Sequence, residues 1–97
     1  MKSEKTSKIV LTFGTFDIFH PGHEHYLSEA KKHGDTLIVI IARDQTVKKI
    51  KGRPPRNTED IRKKNLEQSN IADEITLGSL NNPFECIEKY RPDVLCF

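Results

Sequence analysis

Ninety-seven residues, 35% hydrophobic and 31% charged with a formal net charge of +2, describe one polar-surfaced domain. A chain of this length buries about 60–65% of its unfolded surface, so one modest core is expected. No apolar run approaches the roughly 20 residues of a membrane span. The charged start MKSEKTSK has no apolar segment behind it that would make a signal peptide.

Residues 1–7 are expected to form a flexible, solvated tail to a single domain covering residues 1–97. Lys8 to Phe13 reads as a buried strand, β-branched at Ile9, Val10 and Thr12 and stopped by Gly14. Gly14 to Phe19 is a loop. Pro21 suits the first turn of a helix, where its missing N–H has no intrahelical partner. That helix runs to about His33, with Tyr26, Leu27 and Ala30 as its apolar stripe and Gly34 as its end. Thr36 to Ala42, TLIVIIA, is too short for a typical helix and too uniformly apolar for a half-exposed strand. It predicts a central parallel strand buried on both faces.

Arg43 to Asn57 reads as irregular and basic, with Pro54-Pro55 ruling out regular structure at that point. Thr58 caps the next predicted helix, about 59 to 69, with Glu59 and Asp60 in its first turn and Ile61 and Leu66 as a thin apolar stripe. Glu74 to Leu77 is a short strand. Asn82 and Pro83 open a last helix whose inward residues are Phe84, Ile87 and Tyr90. Arg91-Pro92 ends it, and Val94 to Phe97 is a further buried strand. Alternating strands and helices predict an α/β fold with a doubly wound parallel sheet. Cys86 and Cys96 form no metal-like pair and are expected as free thiols in a cytoplasmic protein.

Ligands of such sheets bind beyond the carboxyl ends of the strands, where strand order reverses. The loop Gly14-Thr15-Phe16-Asp17 belongs there. Gly14 would let a ligand approach the backbone closely, and the helix opening at Pro21 would offer free N–H groups to a phosphate. His20 and His23 bracket Pro21-Gly22 at that helix start and can reach one anion, stabilising charge in phosphoryl or nucleotidyl transfer. Read singly, either histidine could equally be a packed or capping residue. No Cys, Asp or third His has a ligand-like spacing to the pair, so no metal-ligating residues are named; His25 points away and His33 suits the helix end. Asp17 and Asp44 can each hold a metal-bound phosphate or a ribose, or simply form a turn. Arg62 can clamp a phosphate bidentately or sit on the surface, as Lys63 and Lys64 do.

Between Arg43 and Lys64 nine basic residues face three acidic ones, an excess that attracts an anion. It permits a second reading, a nucleotide- or nucleic-acid-binding module without catalysis. The segment has no interleaved aromatics for base stacking, which counts against nucleic acid.

The run GTFDIFHPGH, followed by GDTLIVIIARDQTVKKIKGRPP, Arg62, ADEITLGS and RPDVLCF, resembles the HxGH nucleotidyltransferases of the cytidylyltransferase-like superfamily. Within it the pattern is most similar to archaeal-type FAD synthases, with glycerol-3-phosphate cytidylyltransferases next. The resemblance covers Ile9 to Phe97 and implies a Rossmann-like nucleotidyltransferase fold. It implies AMP transfer from ATP to FMN, or CMP transfer from CTP to a polyol phosphate, with release of pyrophosphate. By the same resemblance His20 and His23 act at the α-phosphate, and Gly14, Thr15 and Phe16 make backbone contacts to phosphate with Asp17 close by. Lys51 binds substrate phosphates, Arg62 makes a catalytic helix-side phosphate contact, and Mg²⁺ or a similar cation bridges phosphate oxygens. A homodimer is expected, and neither nucleic acid nor membrane is. Family members continue past the strand at Val94–Phe97 with base- and phosphate-binding segments, so the C-terminal part of the family domain is expected to be missing.

Overall fold

The computed structural model describes residues 8–17, 21–79 and 85–96. Along them run β1 (Ile9–Gly14), α1 (Pro21–Lys31), β2 (Thr36–Ile41), α2 (Asp44–Lys51), α3 (Glu59–Gln68), β3 (Glu74–Leu77), α4 (Glu85–Tyr90) and β4 (Val94–Cys96). The strands form one parallel sheet in the order β3-β2-β1-β4. The chain steps outward from β1 through β2 to β3, then returns to lay β4 on the other side of β1. The reversal between β1 and β4 is what makes the sheet doubly wound, as the alternation of elements predicts.

β2 is the centre of the core. Five of its six residues, Leu37 to Ile41, are buried, each contributing roughly 1.5–3 kcal/mol of transfer free energy. Strand alternation sends them to two faces. Leu37, Val39 and Ile41 join Val10, Leu27, Ala30 and Leu66, the face covered by α1 and α3. Ile38 and Ile40 join Leu11 and Cys86, the face covered by α4, where Ile87 and Tyr90 also pack. Tyr90 donates its hydroxyl hydrogen bond to Glu74 Oε2. Burial pushes the Cys86 thiol up, with Glu85 adding to it, so the group behaves as a packed, protonated thiol. Cys86 and Cys96 are both free.

Each crossover reaches the sheet through an aspartate that makes the same two bonds. The N–H of Asp35 donates to Lys8 O at 2.9 Å, and Lys8 N donates back to Asp35 Oδ2 at 2.8 Å. Asp73 is paired in this way with Leu37, at 2.9 and 2.7 Å. Asp93 is paired likewise with Ile9, at 2.8 Å each way. These reciprocal clamps satisfy backbone groups at the amino-terminal edge, where a parallel ladder otherwise leaves them open.

Two expectations are corrected. The stretch 43–57 is not irregular throughout, because α2 occupies its first half. A single residue, Val47, is buried in α2, while Ile50, three residues on, is 77% exposed. The helix therefore buries only half of its short apolar pair. It rests on its ends instead: Asp44 in the first turn, lysines in the last, and Gly52 at φ 80°, whose N–H bonds Lys48 O at 2.8 Å. In α3, Ile61 is exposed, and the buried positions are Leu66 and Arg62. Thr58 caps α3 as expected, accepting from Ile61 N at 3.4 Å. Asn82, Pro83, Phe84 and Phe97 lie outside the described residues. Among the described residues no helix is long and apolar enough to cross a membrane.

Candidate active site

The loop leaving the carboxyl end of β1 sits beside the strand-order reversal. Gly14, Thr15, Phe16, Asp17, His23 and Lys51 line one cleft of about 760 Å³, together with Phe13, Tyr26, Arg53, Pro54 and Arg56. Six of the eight residues expected at the site thus meet on one surface. His20 lies outside the described residues. Arg62 is not on the cleft wall.

The floor is set by Phe16. Its backbone is left-handed, at φ 50°, and the residue is 6% exposed. A Cβ on Gly14 would stand 2.5 Å from that ring. The glycine is therefore required by the Phe16 side chain, and not only by the approach of a ligand as the sequence suggests. The imidazole of His23, in the first turn of α1, meets the Phe16 ring edge-to-face, with centroids 5.3 Å apart and planes at 78°. The hydroxyl of Tyr26, which also lines the cleft, shares a hydrogen bond of 2.6 Å with that of Thr12.

Asp17 ties the loop to the opposite wall. Its two carboxylate oxygens accept from Arg56 N and Asn57 N at 2.8 Å each, and its carbonyl accepts from Asn57 Nδ2 at 2.5 Å. It is neither a self-contained turn nor an open ligand group. Burial alone would raise its pKa. The two backbone N–H bonds, together with the charges of Arg62 and Arg56, outweigh that and leave the carboxyl below its ordinary value. A depressed carboxyl stabilises the fold fully above its unfolded pKa of about 3.9 and loses that contribution as pH falls through the lower folded value. Asp17→Asn is therefore expected to lower unfolding free energy by a constant amount from pH 5 to 7 (roughly the range above the unfolded pKa). The gap to the parent should close as both are acidified below pH 4. Denaturant melts across that range measure it, and a gap that persists at low pH would contradict the assignment.

Arg62 is where the structure departs furthest from expectation. Its side chain is 0% exposed, which fits neither a phosphate clamp nor a surface arginine. Nε donates to Asn57 O at 3.1 Å, Nη1 to Thr15 O at 2.9 Å, and Nη2 to Asp44 Oδ1 at 2.7 Å. One planar guanidinium thus joins α3, the β1 loop, the start of α2 and the 56–57 turn. Asp44, expected as a ligand or turn residue, is its ion-pair partner. A second pair runs alongside: Arg43 Nη1 meets Glu59 Oε2 at 2.9 Å, and Glu59 Oε1 accepts from Asp44 N at 2.9 Å.

Arg53 and Arg56 were missed as individuals. The signal was present in the basic excess of 43–64 and in Pro54-Pro55, which holds the chain extended between them. With Lys51 they put three cationic side chains on the cleft wall, against the single, already engaged carboxylate of Asp17. Such a wall attracts a polyphosphate.

The cytidylyltransferase-like family profile matches residues 11–97. The chain belongs to this family. Its Rossmann-like nucleotidyltransferase fold is shared with the crystal structure of the lipopolysaccharide core biosynthesis protein from Thermoplasma volcanium GSS1. That match has a TM-score of 0.86 and 34% identity, and covers 93% of this chain and 73% of the other. An FAD synthase from Aciduliprofundum boonei is 43% identical over 86 residues. The chain spans 57% of the length of that relative, and the match takes in 89% of the chain. His23, the second histidine of the HPGH run, lines the cleft.

Proposed function

We propose that this chain carries the nucleotidyl-transfer centre of an FMN adenylyltransferase, which moves AMP from ATP to FMN, yields FAD and releases pyrophosphate. The observation that carries the reading is the 43% identity to an FAD synthase across nearly the whole chain. It is supported by a cleft lined by both His23 and three cationic side chains.

The chemistry asks little of the protein beyond placement. A phosphate monoester is mostly dianionic at neutral pH, its second pKa being about 6. FMN therefore needs no general base. Its phosphate oxygen bonds to the α-phosphorus of ATP as the bridging oxygen to the β-phosphorus departs, and pyrophosphate leaves with that electron pair. His23, with His20 of the same motif, donates hydrogen bonds to oxygens of the α-phosphate as charge builds there. Lys51, Arg53 and Arg56 neutralise the polyphosphate. Arg62 fixes the loop through Thr15. No group of three His, Cys, Asp or Glu residues able to hold a metal occurs among the described residues, and both Asp17 oxygens accept backbone N–H bonds. A divalent cation brought in with the nucleotide as a metal–nucleotide substrate would neutralise part of the polyphosphate charge beside Lys51, Arg53 and Arg56.

The test is pyrophosphate release by the full-length protein with ATP and FMN, with FAD identified by chromatography. The family profile also favours a second reading, a cytidylyltransferase acting on a polyol phosphate. CTP with glycerol 3-phosphate in parallel separates the two, and no turnover with either pair overturns both. For the cation wall, Arg53→Ala with Arg56→Ala is expected to weaken ATP binding by at least about tenfold, since a charge-assisted hydrogen bond contributes roughly 1.5–3 kcal/mol. Calorimetric titration measures it. Unchanged affinity would remove these arginines from the nucleotide site.

A further inference from the structure

Phe16 occupies a backbone region that a bulky side chain enters only under constraint. The constraint is visible on both sides of it. The carbonyl before it, Thr15 O, is held by buried Arg62 at 2.9 Å. The residue after it, Asp17, is fastened by three bonds to the 56–57 turn. Gly14 leaves space for the ring, and an alanine there would collide with it at 2.5 Å. The ring so placed meets His23 in the edge-to-face arrangement that aromatic pairs prefer. Every element of this arrangement fixes where the Phe16 ring stands, and the ring's neighbour on the cleft wall is the histidine of the motif.

We propose that Phe16 is a positioning residue for His23: its constrained backbone and the Gly14 cradle hold the ring as a stop that sets the direction of the imidazole in the cleft. The inference rests on the proposed function for what His23 then does, but its structural content is separate. A side chain that acts only through His23 should matter only while His23 is present. The conformation is also not a local preference of phenylalanine. It is imposed from α3 and the 56–57 turn, so the direction of the imidazole depends on contacts remote from it in sequence.

The experiment has two arms on the full-length protein. In the first, kcat is measured for Phe16→Leu, Gly14→Ala, His23→Ala and the Phe16→Leu/His23→Ala double variant. Phe16→Leu and Gly14→Ala are each expected to lower kcat by roughly 10- to 100-fold with KM for ATP changed little, because small misplacement of a reacting group carries penalties of that size. In the His23→Ala background, Phe16→Leu is expected to add less than about twofold, the non-additivity of groups that act as a unit. In the second arm, the imidazole carbon-bound proton resonances of His23, assigned by their loss in His23→Ala, are expected to shift in both Phe16→Leu and Gly14→Ala as the ring current moves. Gly14→Ala retains both aromatic side chains, and Phe16→Met replaces Phe16→Leu if the latter does not fold. Equal losses of kcat in the two backgrounds, or His23 resonances that do not move, overturn the proposal. A wild-type protein that transfers no nucleotide strikes the proposed reaction instead, and the resonance arm still decides whether Phe16 directs the imidazole.

Discussion

Replacing His23 with alanine is expected to lower kcat for nucleotidyl transfer by about 10²–10³, the usual effect of deleting one preorganised donor to developing charge. KM for ATP should stay within a few-fold, because in the proposed reaction the ground-state polyphosphate is held chiefly by the cleft cations Lys51, Arg53 and Arg56. The location of His23 favours a large effect. It stands in the first turn of α1, where the helix N-terminus already favours an anion, and its ring is backed by Phe16. It is only partly accessible, so its bonds form in a medium less screening than water. His23→Asn, which keeps a side-chain N–H, should recover part of the rate. Initial rates of pyrophosphate release decide the matter, and a rate for His23→Ala equal to that of the parent would remove the residue from the chemistry.

Replacing Arg62 with methionine should act first on the fold. Three backbone or carboxylate groups would lose their donor inside the protein, and Asp44 its counter-ion. The Asp44 side chain is 38% exposed and can be hydrated, so the loss falls chiefly on the carbonyls of Thr15 and Asn57, at roughly 1–3 kcal/mol for each acceptor left unpaired. For a domain of this size each kcal/mol is worth about 4–8 °C, so the melting midpoint should fall by more than about 10 °C. Arg62→Lys should recover little, because one ammonium cannot span three partners on three segments. A residue that mainly clamps a phosphate would show the opposite pattern, an unchanged midpoint with lost activity. Thermal melts without ligand separate the two.

β1 and β2 were readable because they are nearly all apolar and bounded by Gly14 and Gly34, and buried parallel strands have few other solutions. β4 was expected to be buried as well, but its Leu95 is 41% exposed because β4 lies at the sheet edge. The corner carrying His23 was readable because strand, glycine and Pro-capped helix occur in immediate succession. α2 was hidden because it is only eight residues long, and its apolar pair Val47 and Ile50 is too short a stripe to stand out from the basic run around it. Arg62 was misjudged for a different reason. Nothing local marks a buried arginine, since its partners Thr15, Asp44 and Asn57 are supplied by the fold from 47, 18 and 5 residues away. Similarly, the role of Gly14 became clear only once the Phe16 ring was seen to fill the space beside it.

The three aspartate clamps at the amino-terminal edge carry an implication for how such a protein can change. A slip of one residue in any parallel pair would break two clamp bonds together and turn the strand's apolar side chains to the wrong face. Strand alignment is thereby reinforced at the edge opposite the cleft, by Asp35, Asp73 and Asp93. Changes in the loops at the opposite end therefore leave these three register-setting bonds untouched. Heredity can edit the chemistry and the scaffold on separate pages.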